Sequence, residues 1–413
     1  MIDLIVRKAC LRGREGVWDM AIGSGRIQAI EREITADAPV EDVGRCIVLP
    51  GFCDSHVHLD KACLLDRCGH DHATLGEAIA AVSALKQGMS VEDVYDRGAR
   101  CLERAIVQGT SYMRTHVEID PKIGLRSFEA IRQLKREYAW AIDLSICVFP
   151  QEGLFNNLGT EALLVEALEN GADLVGGCPY TDTQPEAHIG RVFDLAERFE
   201  VDIDFHLDFD LDPSWTHLDT VLHETEKRRL GGRVAVGHAT KLSALTPETL
   251  AAVTTRLVSA GVAVTSLPAT DLFLTGRDRA QDVPRGVAPV HRLASAGVCC
   301  SIATNNVLNP FTPFGDFSLL RMANLYANVC HAGPLEFDTV LDLVTQSAAR
   351  LLRLDGYGIE AGAFADLVVL DASNQVEALG GIAPPLFALK RGQKTFSRPR
   401  PVLLPPQHTA ASL

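Results

Sequence analysis

The sequence has no excess of positive charge. Its 39 Lys and Arg are outnumbered by 53 Asp and Glu, a formal net charge of −14 over 413 residues. Nucleic-acid affinity rests on clustered Lys and Arg that displace counterions from phosphates, so this balance argues against a polyanion-binding surface. Short basic runs such as EKRRLGGR are mixed in sign and read as a solvated helix end. No apolar run approaches the roughly 20 residues that a membrane-crossing helix needs. The opening MIDLIVRKACLRG lacks the small-residue cleavage site of a secretory leader and alternates instead as a strand, through Ile2, Leu4 and Val6. None of the eleven cysteines has CxxC spacing. An odd count without that spacing fits a reducing cytoplasm rather than a disulfide framework, with the cysteines as small core residues and one reactive thiol allowed among them. Low-complexity linkers and short repeats are lacking too.

What is present is a strand-then-helix unit. The candidate strands are CIVLPGFCDSHVHLD, SYMRTHVEID, AIDLSICVF, ADLVGGCPY, VDIDFHLDF, RVAVGHAT, GVAVTSLPAT and GVCCSIATNN. After the first they recur at roughly thirty residues, the length of one βαβ unit. Continuous Val, Ile, Leu and Ala runs suit strands covered on both faces. Between them, Ser90 opens one helix, and Thr246 followed by Pro247 opens another that Gly261 stops. Asn170-Gly171 ends a third. The economical fold is a (β/α)8 TIM barrel over residues 50–355. Residues 1–49 and 356–400 alternate as short strands, and neither flank is long enough to bury a good core alone. Paired, they predict one small β-sandwich domain built from both chain ends.

Active sites of such barrels lie at the carboxyl ends of the strands. Strand one ends HVHLDK, so His56 and His58, two apart, share a face. Strand five ends with His206 and Asp208, strand six with His238 and strand eight with Asn305; Gln151 follows strand three. A lone histidine in an apolar strand is usually a hydrogen-bonded core residue. Four at one rim point to a metal ion, since neutral imidazole is the commonest ligand for zinc and also suits iron. His116 and Glu118 make an H-x-E, but without the P-C-x-x-C that zinc deaminases of another kind require, so His116 is read as a packing residue.

LPGFCDSHVHLDK, RTHVEID, VFPQEG, DFHLDFD, AVGHAT, PFTPFGD and GIEAGAFADLVVLD together resemble the amidohydrolase superfamily, in its cytosine deaminase branch. The likeness spans nearly the whole chain. Lys61, directly after HLD, is similar to the branch member that strips an isopropylamino group from a triazine ring. The resemblance implies that His56, His58 and His206 bind one divalent metal, zinc or iron, with Asn305 at the place of a metal-binding aspartate. His238 would hold the attacking water or the oxyanion, and Gln151 a substrate carbonyl or ring nitrogen. Strand four ends VGGCPY without a metal-bridging lysine, which implies a mononuclear site.

Three positions depart from the family pattern. Asn305 and Asn306 stand where aspartates are usual, and Phe209 stands where a catalytic glutamate follows the strand-five histidine. An amide carbonyl can ligate a metal but cannot take a proton at neutral pH. Hydroxide would then form at a more acidic bound water, the logic of an all-imidazole zinc site. Asp208 is the expected proton carrier, with Asp60 and Glu152 as lesser candidates. Lys61 either orients a substrate carbonyl or forms a surface salt bridge; Asn306 either touches substrate or caps its loop. The mouth loops are expected in residues 63–78 and 181–190.

The expected activity is hydrolysis of a C–N bond in a small nitrogen heterocycle by a cytoplasmic enzyme. No nucleic-acid or membrane partner is expected, and a homo-oligomer is compatible with the sequence. Two alternatives stay open: ring opening of a cyclic amide, and a metal- or ligand-binding barrel with little turnover.

Overall fold

The computed structural model describes residues 1–69 and 74–404. Its larger sheet has eight parallel strands: β1 (Phe52–Val57), β2 (Thr110–Glu118), β3 (Asp143–Phe149), β4 (Leu174–Gly177), β5 (Asp202–Leu207), β6 (Val234–His238), β7 (Val262–Ser266) and β8 (Cys300–Ile302). Their spatial order follows the chain. β1, β2, β4, β6, β7 and β8 are buried along their whole length, as their apolar runs require. Asn305 joins the last strand to the first. Its N–H donates to the carbonyl of His56 and its carbonyl accepts from the N–H of His58, both at 2.9 Å. The expected (β/α)8 barrel is the fold that forms.

The helices start and stop on the residues that the sequence marks. Ser90 accepts from the N–H of Asp93 to open Val91–Ile106, and Thr246 accepts from that of Thr249 to open Pro247–Ala260. Gly261, in the left-handed region, closes the latter.

The expected first strand is in fact two. Ile47–Pro50 pairs in the smaller sheet and Phe52–Val57 begins the barrel, with Gly51 as the break. Gly51 lies so close to Ser111 that a Cβ there would fall 2.0 Å from the Ser111 Oγ, so only glycine lets the chain pass. The smaller sheet runs Gln393–Ser397, Pro385–Lys390, Leu367–Leu370, Ile47–Pro50, Leu4–Leu11, Val17–Gly23 and Arg26–Glu31, with Val40–Asp42 also beside Leu4–Leu11. Val6, Met20 and Ile22 from one chain end share its core with Leu367, Val369 and Leu389 from the other.

A helix over the barrel mouth, Leu75–Lys86 (α1), packs Ala78 and Val82 against Phe209, Leu274 and Phe311, residues that follow β5, β7 and β8. Of the expected mouth loop at 63–78, residues 70–73 lie outside the described residues. The second loop, 181–190, is anchored by Asp182, which accepts from the N–H groups of Leu154 and Phe155 and lies 2.8 Å from His188 Nδ1. None of the eleven cysteines is joined in a disulfide among the described residues. Among the described residues, no helix is long and apolar enough to cross a membrane.

Two buried charges, Lys390 and Asp366, join the two sheets together with the more exposed Asp143. Lys390 Nζ lies 2.8 Å from Asp366 and 2.7 Å from Asp143 at the start of β3, and the Tyr112 hydroxyl donates to Asp366 at 2.5 Å. Removing one partner of a buried pair strands the other charge. Lys390→Met should therefore lower stability in urea unfolding by about 3 kcal/mol, the low end of the range for such pairs, because Arg391 stays 3.6 Å from Asp366.

Candidate active site

β1 and β5 bring three imidazoles together. His56 and His206 sit at inward positions near the strand ends, and His58 follows the end of β1. His206 Nε2 lies 3.1 Å from His56 Nε2 and 3.0 Å from His58 Nε2. Gly237 of β6 makes room for this cluster, since a Cβ there would approach the His56 ring to 2.9 Å. Phe149 stacks on the far face of His206 at 4.5 Å. Burial, then the neighbouring His116, pushes the pKa of His56 down to about 3. Burial depresses His58 and His206 as well, aided by Lys61 at His58 and by the crowding of other imidazoles at His206, so all three are neutral donors. For zinc bonds of 2.0–2.1 Å, a tetrahedral site sets ligand nitrogens about 3.4 Å apart, close to the two spacings from His206 to His56 and to His58.

Asn305 lies at the same rim, bonded through its backbone to His56 and His58. Its residue is fully buried, yet neither its Oδ1 nor its Nδ2 has a hydrogen-bond partner. A buried amide left unpaired costs free energy, so an orphan beside three convergent imidazoles fits an oxygen donor for a cation.

A second layer supports the first from inside the barrel. Asp204, two residues before His206, lies 3.7 Å from His56 Nδ1 and accepts from Arg114 at 2.8 Å. Burial alone would raise the Asp204 pKa, but His116 and His56 hold it well below the usual range. His116 stacks on His56 at 3.7 Å, its Nε2 3.6 Å from Asp204. The DIDFHL alternation carried the signal for Asp204.

His238 stands at the rim, with one ring nitrogen within 4.8 Å of nitrogens of His56 and His206. Its Nδ1 lies 2.6 Å from Asp271 Oδ1, and the Phe209 ring meets it edge-on at 4.4 Å. Burial raises the Asp271 pKa, with His238 opposing. No sequence pattern marked Asp271, which sits on the helix Pro268–Leu274 after β7.

The expected orientation of Asp208 does not hold. The chain turns into the left-handed region at this residue (φ 50°), ending the alternation that would have aimed it beside His206. Its carboxylate accepts from the Thr216 hydroxyl and from the N–H of His217. Asp60 accepts from the N–H of Glu118 at 2.9 Å, and Glu152 pairs with Lys86 and Lys122. Asn306 accepts from the Asn309 side chain at 2.7 Å, as a loop residue does.

Lys61 is buried rather than on the surface. Its Nζ lies 2.9 Å from Glu118 and 3.4 Å from Gln151 Oε1, while Gln151 Nε2 donates to Cys178 at 3.4 Å. Lys86, the last residue of α1, reaches Glu118 at 2.6 Å and also pairs with Asp120 and Glu152. These carboxylates would otherwise form an acidic cluster; the lysine fills it and ties the covering helix to β2 and β3.

A (β/α)8 barrel with imidazole and amide donors gathered at its carboxyl rim is an enzyme scaffold with a metal-binding mouth. A model of the amidohydrolase family matches residues 64–380, and the chain belongs to that family. It is a hydrolase acting on carbon–nitrogen bonds other than peptide bonds. N-isopropylammelide isopropyl amidohydrolase of Pseudomonas sp. (strain ADP) is 29% identical over 408 residues, covering 95% of this chain and 96% of its own. Pterin deaminase of Rhizobium rhizogenes is 29% identical over 383 residues, 91% of this chain and 87% of its own. The crystal structure of 5-methylcytosine deaminase from Klebsiella pneumoniae liganded with phosphonocytosine superposes with a TM-score of 0.91 at 28% identity, over 97% of this chain and 100% of that one.

Glu118 makes the electrostatics testable. Burial raises its pKa, but Lys61 and Lys86 together overcome this and bring it down to about 2 from the ordinary 4.5. A depressed acid adds stability above pH 4.5 that is lost as the pH falls toward 2. Glu118→Gln should lower stability at pH 7 by about 3–5 kcal/mol and flatten the acid limb of a stability–pH curve below pH 4.5.

Proposed function

We propose that this protein hydrolytically removes ammonia or an alkylamine from a ring carbon of a small nitrogen heterocycle, using one divalent metal ion. The observation that carries this reading is that His206 Nε2 lies within 3.1 Å of both His56 Nε2 and His58 Nε2, next to Asn305, whose buried side-chain amide is unpartnered. These four residues would hold the ion. Zinc or iron there would supply Lewis acidity, making water acidic enough to be deprotonated near neutral pH. An amide in place of a carboxylate leaves more of the ion's charge uncompensated, which strengthens that effect.

The chain's own groups do the rest. Asp271 accepts from His238 Nδ1–H and fixes the ring, leaving Nε2 toward the mouth to take a proton from water and return it to the leaving nitrogen. His238 carries this relay in place of Asp208, whose carboxylate is engaged by Thr216 and His217. Gln151 and Lys61 present an amide and an ammonium to a ring carbonyl or ring nitrogen. Phe149, Phe209 and Phe311 provide apolar walls for a flat ring, and α1 shields the mouth from water. The relatives named for N-isopropylammelide, pterin and 5-methylcytosine support an amino-substituted ring as the substrate class. A single ion is favoured because β4 leads into Cys178, which accepts from Gln151, with no lysine at that strand end.

The test is a screen of aminopyrimidines, alkylaminotriazines, aminopterins and cyclic ureas with zinc- or iron-reconstituted protein, reading amine release and ring absorbance separately. Amine release with the ring intact is expected; loss of ring absorbance without amine would assign ring opening instead. Metal-loaded protein inert toward all four classes would overturn the reading. His58→Ala and His206→Ala should each drop bound metal from about one equivalent to below half, measured by elemental analysis. Lys61→Met should raise KM about 10- to 100-fold, the equivalent of the 1.5–3 kcal/mol of a hydrogen bond from a charged donor.

A further inference from the structure

Outside the barrel mouth, the segment after β1 passes the helix Val91–Ile106 (α2), and two thiols meet there. Cys63 Sγ lies 3.8 Å from Cys101 Sγ. Cys101 is fully buried in α2, whereas Cys63 is half-buried and lines a cavity of about 440 Å³ with Asp66, Arg67, Arg100, Arg104 and Leu308. Arg104 Nη1 points at the Cys63 sulfur from 3.9 Å. The chain on either side is held firmly: Arg97 donates to the carbonyls of Asp60 and Ala62 at 2.9 Å, and the N–H of Cys63 donates to Val307 at 3.0 Å.

We propose that Cys63 is a hydroperoxide-reactive thiol and Cys101 its resolving partner. Three observations converge on it. The half-buried Cys63 lines the cavity. Arg67, Arg100 and Arg104 line it too, the cationic surroundings that a thiolate nucleophile requires. A second sulfur waits on the buried side, where it is reached by the first sulfur and by little else. The Cys101 S–H and Arg104 hold the Cys63 thiol below the usual cysteine value against the effect of burial, while burial pushes Cys53, Cys147 and Cys178 upward.

The chemistry balances. The Cys63 thiolate attacks the O–O bond of a hydroperoxide; an S–O bond forms, the O–O bond breaks, and the alcohol or water leaves with a proton, giving a sulfenic acid. The Cys101 sulfur then attacks the Cys63 sulfur, and the expelled hydroxide takes the Cys101 proton as water. Two thiols lose two electrons and two protons, and one hydroperoxide is reduced to an alcohol and water. The sulfurs must close from 3.8 Å to about 2.05 Å, which draws on the segment between Lys61 and Leu64.

The test exposes the full chain to one equivalent of hydrogen peroxide at pH 7, blocks remaining thiols and maps the products by mass spectrometry. A Cys63–Cys101 cross-linked peptide should be the first product, formed about tenfold faster than oxidation of any other cysteine. In Cys101→Ser, dimedone should label Cys63; in Cys63→Ser, Cys101 should stay reduced. Arg104→Gln, which leaves both thiols in place, should slow alkylation of Cys63 by iodoacetamide. Oxidation of Cys63 no faster than that of Cys10, or a Cys63 sulfenate that never yields the cross-link in the parent chain, would overturn the proposal.

Discussion

Two backbone hydrogen bonds at Asn305 hold the arrangement together. They join the end of the barrel to its beginning, and they do so through His56 and His58, two of the three convergent imidazoles. Barrel closure and the placing of these two imidazoles are thus one event. The same residue bears the orphaned amide, in the left-handed conformation that asparagine tolerates better than most residues. This explains in physical terms why a buried apolar strand finishes on a neutral amide.

Charge beneath and around the donors is paired with economy. Asp204 answers Arg114 inside the barrel, and Asp271 answers His238 at the rim. Glu118 answers two lysines, one facing the mouth and one arriving with the covering helix. The covering helix is therefore fastened by the carboxylate that also positions Lys61, so the walls of the site and its polar recognition groups share an anchor.

Much of this was legible in the sequence because β-strands alternate strictly. His56, His58 and His206 could be placed on one rim from two-residue spacing and strand order alone, and the family motifs agree with the family match. What escaped notice is where the alternation stops. Asp208 follows His206 by two residues, yet a left-handed turn redirects it. Gly51 divides an unbroken apolar run between two sheets because of a neighbour sixty residues away, Ser111. Asp271 and Lys86 act from helices, where a single charged residue looks like any solvated position until the tertiary contact is known.

The route of the chain through Gly51 bears on biosynthesis. The strand carrying His56, with His58 just beyond it, gains its final hydrogen-bonded neighbour only when Asn305 emerges, about 250 residues later, and the strand before it waits still longer for Leu367–Leu370. A nascent chain must therefore keep an apolar edge unpaired through most of its synthesis, the situation in which chaperones are needed most.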